Sequence, residues 1–188
     1  MEEFLKRYIK DYTYLTLIAG VVVALDQLTK YWVRTNVEMG SVWMHWEWLA
    51  PYARVAHWYN TGVAFGMFQG RGMVFTILAF LVAGAIIFYF PSVPSQDWSL
   101  RLAMGLQLGG ALGNLIDRLT IGHVTDFISV GNFPVFNIAD SSITIGVCVL
   151  LLGIWLQERA EKQRLIDEAS TQNITDLDTG TMGDGSIS

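Results

Sequence analysis

The chain has 188 residues, the length of a single ordinary domain, and 52% of them are hydrophobic against 15% charged, with a mean hydropathy of +0.38. A soluble domain carries about 25% charged residues, so the composition points away from a water-soluble fold. The net charge is −5, and five acids with no Lys or Arg fall within residues 165–188. The rest of the chain is formally neutral and lacks the clustered basic face of a nucleic-acid binder. Cys148 is the single cysteine, which excludes an internal disulfide framework and a cysteine-based zinc site. Its apolar surroundings in sequence predict a small buried hydrophobe rather than a nucleophile.

Crossing roughly 30 Å of hydrocarbon takes about 20 helical residues, and four stretches approach that length. The first covers 12–33, with an apolar section that ends at Asp26 and Lys30. Lys6, Arg7 and Lys10 precede it as in a signal peptide, but no small-x-small cleavage pattern follows, so a retained span is expected. Four of the seven tryptophans (Trp43, Trp46, Trp48 and Trp58) then gather in one loop with Tyr52 and Tyr59. Aromatic rings favour the membrane–water interface. The β-prone run Arg54-Val-Ala-His-Trp-Tyr59 predicts a short sheet or hairpin resting on the membrane, or else a plain aromatic anchor.

The second span covers 72–94, inside a stretch without charge from Gly72 to Gln96. A third, 102–118, carries Gly105, Gly109 and Gly113 on one helical stripe, where small residues let a neighbouring backbone approach. A fourth, 141–157, follows Asn137 and Asp140. The predicted class is therefore an all-α polytopic membrane protein of four transmembrane helices, with a small extracytoplasmic β-sheet or hairpin between helices 1 and 2. Residues 1–164 form the single membrane domain. Residues 165–188, acidic and rich in Ser, Thr and Gly, are expected to be a disordered cytoplasmic tail. Four spans put both termini on one side, and that side holds seven Lys and Arg against five on the other, which favours cytoplasmic termini.

Depth then sorts the polar residues. Asp26, Lys30, Asn114, Asp117, Arg118, Asp126, Asn137 and Asp140 all fall toward the outer face, and ionisable groups at that depth are functional hypotheses because burying them is costly. No H-E-x-x-H pair offers zinc ligands, and a Ser–Lys dyad would require Lys30 to meet Ser141 or Ser142, which look instead like helix-start residues. His45 and His57 belong to the aromatic loop, where interface residence is the simpler role. The carboxylates remain. Asp126 and Asp140 bracket an uncharged loop, 127–139, short enough to return one beside the other. Two such carboxylates cannot easily both ionise, so one ionised member can activate water while the protonated member polarises a carbonyl. On spacing alone, the other reading stays open: each Asp caps a helix or pairs with Arg118. Arg118 can also form an ion pair with Asp117 that closes the third span. A proton-coupled transporter would likewise collect charges inside spans, but here they form no chain across the membrane; a structural tetraspan adaptor is a third class.

The segments Asp26-Gln-Leu-Thr-Lys30, Asn60-Thr-Gly-Val-Ala-Phe65, Gly113-Asn-Leu-Ile-Asp-Arg118, Val124-Thr-Asp-Phe127 and Phe136-Asn-Ile-Ala-Asp-Ser141 resemble, in order, those of the lipoprotein signal peptidases (type II signal peptidases). Together they span roughly residues 12–157. The resemblance implies a bacterial inner-membrane aspartyl protease that needs no metal or other cofactor and cleaves prolipoproteins just before a lipid-modified cysteine. It implies Asp126 and Asp140 as the catalytic pair. Asn60, Gly62, Asn114, Arg118, Asn137 and Ala139 fall at substrate-site positions, with Asp26, Lys30 and Asp117 as supporting residues. The implied partners are lipid-modified prolipoproteins and membrane lipids, with no nucleic acid, a monomeric enzyme, and peptide inhibitors such as globomycin binding at the dyad. Three departures stand out: Val63 where a small residue is usual, a short loop between the two aspartates, and the acidic tail.

Overall fold

The structure is a computed structural model that describes residues 1–60 and 72–181, with side-chain surroundings through residue 170. Its elements in order are helix α1 (Glu2–Asn36), strands β1 (Val42–Trp43) and β2 (Ala53–Asn60), helix α2 (Gly72–Tyr89), a 3-10 turn at Phe90–Ser92, helix α3 (Trp98–Thr120), strand β3 (Val124–Val130) and helix α4 (Ile138–Thr181). Residues Met1–Leu150 make one compact unit and Leu151–Ser188 a second.

In the first unit α1 and α3 form the central pair. The buried positions of α1 are Asp11, Leu15, Ala19, Val22, Asp26, Lys30 and Val33, a stripe repeating every three or four residues. The glycines of α3 face that stripe. A Cβ on Gly105 would lie 2.8 Å from Ile18, on Gly109 2.6 Å from Val22, and on Gly113 2.7 Å from the carboxylate of Asp26. Gly110 faces the start of α4 instead, where a Cβ would lie 2.5 Å from the carbonyl of Ala139. The stripe is thus a packing device, as small-residue spacing implies. Leu15, Ala19, Ala83, Ile86, Phe90 and Leu108 fill one end of the bundle, and Val33, Val37 and Phe127 fill the end beside the sheet.

Three helices, α1, α2 and α4, are long and apolar enough to cross a membrane. Their outward faces carry exposed Leu17, Leu28, Leu81 and Phe88, which lipid rather than water can solvate. At 23 residues α3 is long enough as well, but it carries Arg101, Gln107, Asn114, Asp117 and Arg118. A helix wrapped by protein can hold such groups because its neighbours, not lipid, must satisfy them. Cys148 is exposed on α4 rather than buried as expected, since the apolar stretch around it includes an outward face.

The expected small sheet is present, but it draws on more of the chain than the segment between α1 and α2. It has three antiparallel strands in the order β1-β2-β3, and the third strand comes from between α3 and α4. Asn60 pairs with Val124, Tyr59 with Thr125 and Trp58 with Asp126, with an irregularity between Val55 and Trp58. Trp43, Trp46, Trp48, Tyr52, Trp58 and Tyr59 are all exposed. His57 departs from that pattern: it is buried, with Nδ1 2.7 Å from the carbonyl of Val37. After β3, Gly131 at φ 51° turns the chain, and Phe136 returns to bridge Ile128.

In the second unit the expected unstructured tail is helical as far as Thr181, continuing α4. Pairs one turn apart support it: Arg164 Nε donates to Glu168 at 2.8 Å, and Gln163 donates to Asp167 at 3.0 Å. Arg159 also lies over the Trp155 ring at 4.1 Å.

Candidate active site

The geometry of the site starts with Asn137, the residue before α4. Its side-chain Oδ1 accepts from the Asp140 backbone N–H at 3.0 Å, and its own backbone N–H donates to Asp140 Oδ2 at 3.3 Å. This is a reciprocal capping box with Asp in the glutamate's place. The same Asn137 then uses its Nδ2 to donate to Asp126 Oδ1 at 2.7 Å. One residue therefore holds both carboxylates. The chain reaches this position because Phe127 and Ile128 both donate backbone hydrogen bonds to the Phe136 carbonyl, at 3.0 and 2.7 Å, which returns residue 137 beside β3.

The remaining donors come from other elements. Asn60, at the end of β2, donates to Asp126 Oδ2 at 3.1 Å, and Asn114 on α3 donates to Asp140 Oδ1 at 2.8 Å. Asp126 is 2% exposed. Its burial, and next the negative charge of Asp140, push its pKa up to about 7, against the opposing pull of the Asn60 and Asn137 hydrogen bonds and of Lys30. Both carboxylates open onto one cavity of about 540 Å³. Asn60, Asn114 and Arg118 complete its polar side, and Phe75, Phe136 and Ile143 stand among its apolar walls.

Behind the cavity lies a fully buried charge cluster. Asp26 and Lys30 pair at 2.8 Å with both side chains inaccessible, and Lys30 also lies 3.3 Å from Asp117. Asp26 Oδ1 accepts from the Ala139 backbone N–H at 2.9 Å, which ties α1 to the first turn of α4, next to Asp140. Asp117 Oδ2 accepts from the Thr125 N–H at 2.9 Å, which fixes the strand residue before Asp126. The Asp117–Arg118 pair that the sequence leaves open is not what Asp117 makes. Neighbouring residues on a helix point about 100° apart, so Asp117 turns inward to Lys30 and Arg34 while Arg118 lines the cavity, 5.9 Å from the Phe75 ring.

The sequence reading missed two contributors to this cluster. Gln27 bridges Asp26, the Gly113 carbonyl and Asp117 at 3.1, 3.0 and 3.2 Å, and Arg34 reaches Asp117 at 3.3 Å and Thr125 at 3.1 Å. Gln27 sits inside the Asp26–Lys30 motif and Arg34 one turn beyond it, and that spacing is the only local signal either one gives. Gly62 and Val63 lie outside the described residues. Among the described residues, no three His, Cys, Asp or Glu side chains are grouped to hold a metal ion.

The comparisons with known proteins point one way. The family described as "Signal peptidase (SPase) II" matches residues 18–156. The lipoprotein signal peptidase of Shouchella clausii is 43% identical over 151 residues, covering 78% of this chain and 96% of that protein. That of Moorella thermoacetica is 40% identical over 134 residues, covering 71% and 87%. A bacterial membrane enzyme solved by the in meso method at 2.3 Å superposes with a TM-score of 0.71 at 34% identity, over 79% of this chain and 90% of that one. The five motifs all fall within the matched span, and on this agreement of sequence and fold the chain belongs to the signal peptidase II family, bacterial membrane proteases that process lipoproteins.

Proposed function

We propose that the chain is an aspartyl endopeptidase that removes signal peptides from prolipoproteins just before the diacylglyceryl-modified cysteine, with Asp126 and Asp140 as its catalytic pair. The observation that carries this reading is Asn137 holding both carboxylates in the wall of one cavity. The pair shares one proton. Its ionised member takes a proton from water as the oxygen attacks the carbonyl carbon before the cysteine. The protonated member donates to the carbonyl oxygen, and collapse of the tetrahedral intermediate then sends a proton to the departing amine. The group beside that centre is an Asn and Arg set, Asn60, Asn114, Asn137 and Arg118, suited to hold the extended substrate backbone. Gly62 and Ala139 belong to the same proposal as substrate-site positions.

The apolar walls suit a substrate whose lipid stays in the bilayer, so entry is lateral. In this reading α3 is the protein-wrapped fourth span of a bacterial inner-membrane protein, both termini are cytoplasmic on the Lys and Arg count, and the aspartates lie near the extracytoplasmic face. Residues 1–164 form the peptidase domain, which acts as a monomer, and globomycin-like peptides bind at the dyad. The test is a gel-shift cleavage assay on a lipid-modified prolipoprotein in detergent with EDTA throughout, comparing wild type with Asp126→Asn and Asp140→Asn. Cleavage by wild type alone is expected. Cleavage by either variant at a near-normal rate overturns the assignment.

A further inference from the structure

At the other end of α1, some 15 residues from the Asp26–Lys30 pair, a second cavity of about 490 Å³ opens between the starts of α1 and α3. Its floor is a buried ion pair. Arg101 Nη2 donates to Asp11 Oδ1 at 2.6 Å and Nη1 to the Val93 carbonyl at 3.0 Å, while its Cζ lies 4.5 Å from the Phe90 ring. Asp11 is 4% exposed, and its other oxygen, Oδ2, is buried without a hydrogen-bond donor.

The rim carries the cations Lys6, Arg7 and Lys10 and one acid, Glu3. Lys6 is committed to Glu2 at 2.7 Å. Arg7 approaches Asp11 Oδ2 only at 3.8 Å, longer than a hydrogen bond, with its side chain 63% exposed. Lys10 is exposed on the same rim, and exposed Trp98 stands beside it, a residue type that settles at headgroup depth. Immediately beyond, α1 turns apolar and outward-facing at Leu17 and Val21. Basic pockets between helices at a membrane edge suit phosphate-bearing headgroups.

We propose that this cavity seats the headgroup of an anionic phospholipid, with its phosphodiester on Arg7 and Lys10 and its acyl chains along the outward face of α1. The site is separate from the proposed catalytic cavity and shares no residue with it.

The test is native mass spectrometry of the full chain in detergent, titrated with phosphatidylglycerol or with phosphatidylcholine. The expected result is preferential binding of phosphatidylglycerol. Arg7→Gln with Lys10→Gln should weaken that binding on the order of tenfold, whereas Lys162→Gln with Arg164→Gln should leave it unchanged. Both double variants change exposed side chains and should cleave prolipoprotein in detergent at the wild-type rate, which shows that they fold. Equal binding of the two lipids, equal losses in the two double variants, or displacement of the lipid by millimolar inorganic phosphate each overturns the assignment.

Discussion

Lys30 decides which way Asn114 faces. Its Nζ donates to Asn114 Oδ1 at 3.0 Å, so the amide must present its Nδ2 elsewhere, and it presents it to Asp140 at 2.8 Å. An amide nitrogen can only donate and a lysine ammonium cannot accept, so the charge on α1 sets the orientation of a donor on α3 toward a carboxylate on α4. Asn114 Oδ1 also accepts from Asn137 Nδ2 at 3.2 Å, which reinforces the same orientation.

Lys30→Met should therefore damage the fold before it damages the chemistry. It leaves Asp26 and Asp117 buried without their shared cation, and breaking a buried pair from one side costs about 3–5 kcal/mol. A sharp fall in the thermal unfolding temperature in detergent is expected. An unchanged unfolding temperature would show that the cluster is not held by charge.

Asp126→Asn and Asp140→Asn should each lower kcat by several orders of magnitude while leaving KM for a prolipoprotein substrate nearly unchanged. The double variant should be little worse than either single one, because groups acting as a unit lose their effect together. Steady-state kinetics on all three proteins checks this, and multiplicative losses would mean that the two carboxylates act independently.

The raised pKa of Asp126, about 7, gives a signed pH dependence. A carboxyl that holds its proton more tightly when folded than the ordinary value of 3.8 contributes stability that is fully present below that value and is lost as pH rises through about 7. Thermal stability should accordingly decline across this window, and Asp126→Asn should flatten the decline. In Asp140→Asn the Asp126 titration should move down, since a neighbouring negative charge is gone, yet stay above the ordinary value because burial is the larger cause. Carboxyl-labelled NMR reads both shifts.

Glycine substitutions in the bundle should split by what lies opposite. Gly113→Ala drives a Cβ to 2.7 Å from the Asp26 carboxylate, and Gly109→Ala drives one to 2.6 Å from Val22 Cβ with the Ala19 carbonyl at 3.0 Å. Each should destabilise by about 1–3 kcal/mol. Gly20→Ala and Gly84→Ala meet nothing within 4 Å and should unfold no more readily than wild type. Thermal unfolding of the four variants in detergent separates the two classes.

What the sequence made legible follows the distance over which each relationship acts. The Asp26–Lys30 pair is one helical turn, and the glycine stripe is a single-helix periodicity, so both could be read locally. Convergence of Asp126 and Asp140 followed from a short loop between them. The third strand was missed because residues 127–130 lie in an uncharged stretch that reads as loop, and only pairing with β2, some 70 positions earlier, shows it as a strand. Arg34 with Asp117 and Asp11 with Arg101 are separated by 83 and 90 positions, and no local pattern joins them. Adjacency in sequence left an Asp117–Arg118 pair open, and the turn between neighbouring helix positions points the two side chains apart.

The charge cluster behind the cavity also sets an order of assembly. Helix α1 carries its own neutralising partner, since Lys30 reaches Asp26 one turn away, so it can enter an apolar phase with its charges already matched. Among the described residues, the inward-facing Asp117 of α3 meets its cations, Lys30 and Arg34, only on α1. As the chain emerges from synthesis, α1 is the template that must already be in place, and α3 is the latecomer whose burial waits for it.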